Sequence, residues 1–246
     1  MIRRIENIER IKLKLRDSHY SRLLLSHVRA YGTEFDFCEI FEIATSKKRV
    51  GFIACFNSSM VADIIEGARV TNACLREIRA FIAFKSPASI EICPELCTRL
   101  GFKNYTKHHR TFFEVVMGED SFDLNPAPNY DYVFSTAFDS SKENYGLWLT
   151  DTVRRVNRTL SRVYSYQSSV LTVRCLSSGQ AYITDVATPE VDRGKGYARM
   201  LLQKAAFELE KDGYKSYLAA TDETAGFYRS LYFPEKGNDY IYKLKE

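Results

Sequence analysis

Residues 183–202 read ITDVATPEVDRGKGYARMLL. Gly194 and Gly196 stand between an apolar, strand-like run and a run of helix formers, with Arg193, Lys195 and Arg199 beside them. Glycines at such a junction clear side chains from the backbone, and the unpaired N–H groups of a helix's first turn then face the cleared space. A helix start carries about half a positive charge, which suits an anionic group such as a diphosphate. Residue types alone also fit a plain turn. The stretch is not a Walker loop, because no Gly-Lys-Ser/Thr closes it, and the Rossmann G-x-G-x-x-G spacing is absent.

Other reactive side chains are unevenly spread. His19, His27, His108 and His109 all precede residue 110, so chemistry in the second half has to proceed without histidine. His108 and His109 are adjacent in a strand-like run, which points them to opposite faces and makes them a poor metal pair. The six cysteines form no C-x-x-C pair and sit mostly in apolar segments, as buried free thiols do. No metal site is expected. In the second half the candidates are Tyr228 within FYRSLYF, the carboxylates Asp185 and Asp222, and a group on one helix, Trp148, Asp151 and Arg155. Tyr228 also suits plain core packing, and the two aspartates also suit solvated or capping roles. Asp151 and Arg155, four apart, can pair on a helix face, and the lone Trp beside them can wall a pocket.

The elements that must position these residues follow from periodicity. In the first half, RIENIERIKLKLRDSHYSRLLLSHVRAYG reads as mainly helical, with IKLKL alternating as a short strand would. FCEIFEIATSKKRVGFIACF reads as two strands around a polar turn, TNACLREIRAFIAF as a helix, ASIEI as a strand, PELCTRLGF as a helix ending at Gly101, and HRTFFEVV as a strand. In the second half YDYVFSTA reads as a strand and SKENYGLWLTDTVRRVNRTLSRVY as one long helix. Strands SSVLTVRCL and QAYITDVAT, a helix over 194–212, strand KSYLAA, helix ETAGFYRSLYF and strand DYIYKLK complete it. The acidic, proline-containing stretch MGEDSFDLNPAPNYD marks a boundary, giving domains over 1–117 and 131–246 with a linker over 118–130. The endings of the two halves share helix, aromatic break and closing strand, a weak internal repeat of one mixed α/β unit.

VATPEVDRGKGYA resembles the acyl-CoA pyrophosphate signature of the GNAT superfamily of N-acyltransferases, Arg/Gln-x-x-Gly-x-Gly/Ala, with Arg193, Gly196 and Ala198 in the three defined places. Val186 and Pro189 resemble the strand end that precedes that turn, and FYRSLYF resembles the later Phe-Tyr-x-x-x-Gly-Phe helix, placing Tyr228 where the family often has its general acid. Two positions depart from the pattern: Thr221 replaces the asparagine seven places before the tyrosine, and Tyr232 the glycine four places after it. The first half keeps the Gly-Phe ending in TRLGF but has Cys97 at the tyrosine position and no glycine turn, as in a degenerate copy.

The resemblance implies a mixed-sheet α/β (α+β) fold in two tandem GNAT-like domains, and acyl transfer from acetyl-CoA or another acyl-CoA to a primary amine without a metal. It implies that backbone groups of Val186, Ala187 and Thr188 run beside the pantetheine arm, with the Val186 N–H steadying the thioester oxygen. The amides of Arg193, Gly194, Lys195, Gly196, Tyr197 and Ala198 would hold the pyrophosphate, Tyr228 would serve the departing sulfur, and Asp185 or Asp222 would be the base. The alternative is an acyl-CoA-binding sensor or scaffold without turnover. The acceptor is expected to be a small-molecule or peptide amine.

Composition narrows the partners. The chain has 246 residues, 45% of them hydrophobic and 27% charged, an ordinary globular balance. Its net charge of +4 comes from mixed signs and suits an anionic small ligand better than nucleic acid. The start MIRRIENIER has no apolar signal-peptide core, Glu6 and Glu9 break up its basic face, and no run is long enough to span a bilayer. The expected location is the cytoplasm, with no membrane partner.

Overall fold

The computed structural model describes residues 1–7, 15–45, 48–118, 122–124, 128–138 and 142–245. Its compact units are Met1–Arg110 with Asn238–Glu246, and Thr111–Gly237. The stretch 118–130 that composition marks as a linker lies inside the second of these units.

The first unit runs β1 (Ile2–Arg4), α1 (His19–Tyr31), β2 (Cys38–Ala44), β3 (Arg49–Phe56), β4 (Ser59–Ile64), α2 (Asn72–Lys85), β5 (Ser89–Ile92), α3 (Pro94–Leu100) and the start of β6 (Tyr105–Glu114), with the end of β11 (Glu235–Leu244). Its strand order is β1-β2-β3-β4-β5-β11-β6. The first four strands pair antiparallel, β4 and β5 are parallel, and β5 pairs antiparallel with β11. Helix α1 starts at Ser18, whose hydroxyl accepts from the Ser21 N–H at 3.0 Å, and lays Leu23, Leu24 and Val28 into the core.

The second unit runs from the end of β6 through α4 (Tyr130–Ala137), α5 (Tyr145–Asn157), β7 (Arg162–Tyr166), β8 (Ser169–Ser177), β9 (Gln180–Ala187), α6 (Tyr197–Lys211), β10 (Lys215–Thr221) and α7 (Asp222–Ser230) to the start of β11. Its strand order is β6-β10-β9-β8-β7, with β9 and β10 parallel and the pairs β8–β9 and β7–β8 antiparallel. Leu201, Leu202, Ala205 and Leu209 of α6 recur at helical spacing and are buried against Ile183 and Leu218 of the sheet.

Four sequence readings are corrected. The stretch opening RIEN is not helical from its start: Ile2–Arg4 pair with Phe41–Ile43 as β1, and most of IKLKL lies outside the described residues. YDYVFSTA is a helix; Asn129 caps it by accepting from the Tyr132 N–H at 3.2 Å, and Val133 and Phe134 are buried. The long helix expected over 141–164 ends at Asn157, after which Thr159 takes a left-handed φ of 57° and the chain enters β7. Strand β4 is additional to the elements expected from periodicity; it hairpins back from β3 through Asn57, at φ 49°.

Candidate functional site

Strands β9 and β10 begin side by side and then part. Their pairing covers Gln180–Ile183 against Lys215–Leu218 and stops, although β9 continues to Ala187 and β10 to Thr221. On the other side of β9 the ladder with β8 slips, because Thr184 faces Thr172 while Ala187 faces Val170. The extra residue lies at Asp185 and Val186, and Asp185 takes a left-handed φ of 55°. A bulge of this kind bends its strand and releases it from its neighbour, leaving backbone groups of Val186 and Ala187 beside an opening.

Beyond Ala187, the Thr188 hydroxyl meets the Ser169 hydroxyl at 2.7 Å, and Pro189 leads into a short 3₁₀ turn over Glu190–Asp192. Gly194 and Gly196 follow with φ of 81° and 80°, the left-handed region that glycine enters without a Cβ penalty. Gly196 is the N-cap of α6 and offers no side-chain cap, so the first-turn N–H groups from Tyr197 onward keep that valence open. A Cβ built on either glycine would meet no atom within 4 Å, so the space before the helix is clear. Lys195 is tied to Asp192 at 2.5 Å and the Arg193 Nε donates to the Thr188 carbonyl at 3.3 Å. Arg199 is exposed and has no carboxylate partner among the described residues.

The corresponding place in the first unit differs. Helix α2 is capped by Thr71, whose hydroxyl accepts from the Cys74 N–H at 3.2 Å. Arg99 folds back over the helix start, donating to the Val70 carbonyl at 2.9 Å and to the Asn72 amide oxygen at 3.2 Å.

Tyr228 lies on α7, nearly buried, with its ring 5.6 Å from that of Phe113. Burial pushes its phenol up to about 12, so it is a proton donor throughout the neutral range. The hydroxyl has no hydrogen-bond partner among the described residues. Thr221, in place of the family's asparagine, closes β10 and caps α7 without a side-chain bond. Tyr232, in place of its glycine, keeps a glycine-like φ of 59° and is 90% exposed.

The two candidate bases part company. Asp222 is exposed in the first turn of α7. Asp185 is half-buried on the bulge, and loss of solvent raises its carboxyl above the usual range, opposed by Arg174. Around it stand the Trp148 indole N–H and the hydroxyls of Thr172 and Thr184, which favour the charged carboxylate and, with Arg174, oppose the upward shift. Trp148 comes from α5 within an aromatic cluster; Phe134 and Tyr145 lie 5.4 and 6.5 Å from it, ring to ring. Asp151 does not join this group, because it holds the buried Arg155 at 2.6 Å on the same helix. Arg174, Thr172 and Thr184 carried no signal of their own in the sequence, since hydroxyls and one arginine in a strand look like an ordinary solvent face.

No family model and no curated protein matches the sequence. Solved structures do. A GNAT-family acetyltransferase from Colwellia psychrerythraea aligns over 100% of both chains with a TM-score of 0.59 at 11% identity. The chain has the GNAT acetyltransferase fold. A tandem GNAT protein from the clavulanic acid biosynthesis pathway aligns over 98% of this chain and 97% of its own, with a TM-score of 0.59 at 10% identity. A GCN5-related N-acetyltransferase from Kribbella flavida aligns over 92% of this chain and 94% of its own, with a TM-score of 0.59 at 13% identity. Within this GNAT fold, the described residues contain no group of three or more His, Cys, Asp and Glu side chains arranged to hold a metal. No helix among them is long and apolar enough to cross a membrane.

Proposed function

We propose that the second unit transfers an acyl group, in the simplest case acetyl, from an acyl-CoA to a primary amine. The observation that carries this reading is the parting of β9 and β10 at a bulge that leads directly into the uncapped, glycine-cleared start of α6. The opening between strands takes an extended arm, added like a strand beside Val186, Ala187 and Thr188. The helix start, with the amides of Arg193 to Ala198, takes the diphosphate. The Val186 N–H is the donor for the thioester oxygen as charge builds on it.

In the reaction, the amine nitrogen attacks the thioester carbonyl, the C–N bond forms and the C–S bond breaks. The proton lost by the amine goes to Asp185, directly or through water, and the departing sulfur takes a proton from Tyr228. Asp185 is preferred over Asp222 because burial holds its carboxyl above the usual range at the bulge beside Val186, whereas Asp222 is exposed. A general base works best when its pKa approaches the operating pH.

The test is CoA release from acetyl-CoA across a panel of primary amines, beside calorimetry of CoA binding to the full chain. Turnover with one class of amine and a stoichiometry near one CoA per chain are expected. Binding without turnover on any amine would make the chain an acyl-CoA sensor or scaffold. Two equivalent sites would assign a second one to the start of α2.

A further inference from the structure

The first unit holds a cavity of about 430 Å³, inside the range of ~300–1,000 Å³ common to small-ligand sites. Its walls are aromatic, formed by Tyr20, Phe102, Tyr105, Tyr240 and Tyr242. The ring of Phe102 lies 4.4 Å from that of Tyr242 and 6.0 Å from that of Tyr105, so one flank is a near-continuous aromatic surface.

The polar groups behind this surface are engaged. Asp239 accepts from the Arg110 Nε at 2.9 Å on one oxygen; on the other it accepts from Nη2 at 2.7 Å and the Tyr20 hydroxyl at 2.8 Å. The Tyr105 hydroxyl donates to the Pro87 carbonyl at 2.9 Å, and the Cys97 sulfur and Tyr242 hydroxyl are 2.7 Å apart. Lys107 differs. Its ammonium sits 3.4 Å from the centroid of the Tyr240 ring and has no carboxylate partner among the described residues.

These features select a ligand by charge and shape. A cationic guest would find its natural partner, Asp239, already saturated by a guanidinium and a phenol. An anionic group meets Lys107, and a flat ring covers the aromatic flank. We infer that this cavity is a ligand site of the first unit for a small aromatic acid, its carboxylate on Lys107 and its ring against Phe102, Tyr105 and Tyr242. The site is independent of the acyl-CoA reading of the second unit.

Cys97 supplies a local reporter, because it lines the cavity and is half-buried while the other five cysteines are buried. Iodoacetamide labelling of the native full chain, read by peptide mass spectrometry, is expected to modify Cys97 first. Saturating 4-hydroxyphenylacetate should slow that labelling about tenfold, while tyramine, with the same ring and an amine, and CoA should not. Lys107→Met should leave the labelling rate unchanged and remove the protection. Calorimetry with 4-hydroxyphenylacetate provides a second reading, with affinity reduced about tenfold in Lys107→Met. Equal protection by tyramine, protection by CoA, protection that survives Lys107→Met, or absence of binding heat in the unmodified chain would each refute the assignment.

Discussion

Arg110 and Asp239, 129 residues apart in the chain, meet inside the first unit through two parallel hydrogen bonds, Nε to Oδ1 at 2.9 Å and Nη2 to Oδ2 at 2.7 Å. The same guanidinium reaches Glu91 at 2.8 Å, and His19 lies 3.2 Å from that carboxylate. Arg110, Asp239, Glu91 and His19 are all buried. Replacing Arg110 with Met leaves two buried carboxylates without their guanidinium, which typically costs about 3–5 kcal/mol. Urea unfolding of Arg110→Met measures it; a loss under about 1 kcal/mol would show that the two acids find other compensation.

Burial pushes the His19 imidazole below its ordinary value, against the pull of Glu91, with Arg110 and Asp239 also facing it. The folded state therefore binds fewer protons at His19 than the unfolded chain does once pH drops below about 6.5. Stability contributed at higher pH is lost as pH falls from there toward the lowered folded value. The melting temperature should decline over that interval, and His19→Gln should decline less steeply. Parallel slopes in the two proteins would place the acid sensitivity elsewhere.

Asp185 has the opposite sign. Its carboxyl is raised by burial, so the folded state holds that proton more tightly, and stability present below the unfolded value of about 3.9 is lost as pH rises through the folded one. Asp185→Asn should thus be more stable than the unmodified chain at pH 8 and equal to it near pH 3.5, at about the unfolded value. On the proposed reaction it should lower kcat about 10²- to 10⁴-fold and flatten the acid limb of the pH–rate profile. Full activity in the Asn variant would return the role of base to Asp222 or to solvent.

Gly196→Asp places a carboxylate at the start of α6, in a backbone conformation with φ 80°. The strain costs on the order of 1 kcal/mol, which a folded chain tolerates, while the charge opposes a diphosphate. Calorimetry should find CoA binding abolished in a variant whose circular dichroism is unchanged. Retained affinity would remove the turn from the site.

Tyr228→Phe removes one hydroxyl from a packed ring. Turnover should fall at least about tenfold with little change in CoA affinity, since the hydroxyl is invoked for the leaving sulfur rather than for binding. Equal turnover would make the tyrosine a core residue only.

Period and punctuation made much of this fold legible. The hairpin of β2 and β3, helix α2, and the series from β8 to β11 follow from alternation, helical spacing and glycine stops. The glycine turn was readable because Gly194 and Gly196 are required by backbone angles that few other residues adopt. Helix α4 reads as a strand in the sequence because its aromatic and β-branched residues mimic one, although Asn129 three places before Tyr132 is a cap signal. The bulge at Asp185 was not visible, because register slips depend on the partner strand. The Arg110 network was equally hidden, since a charged residue in a strand looks solvated until the carboxylates that surround it are brought in from distant segments.

The segment Asn238–Glu246 belongs to the first unit, and this sets an order of events during synthesis. Residues 1–110 leave the ribosome with β5 lacking its β11 neighbour and Arg110 lacking Asp239, whereas Thr111–Gly237 is contiguous and complete as soon as residue 237 emerges. The later half of the chain is therefore free to fold first. For the time needed to make that half, on the order of ten seconds at about 5–20 residues per second, the nascent chain carries an open β edge along β5. Such an edge recruits other strands readily, so this interval is when the nascent chain is most open to pairing with the wrong strand.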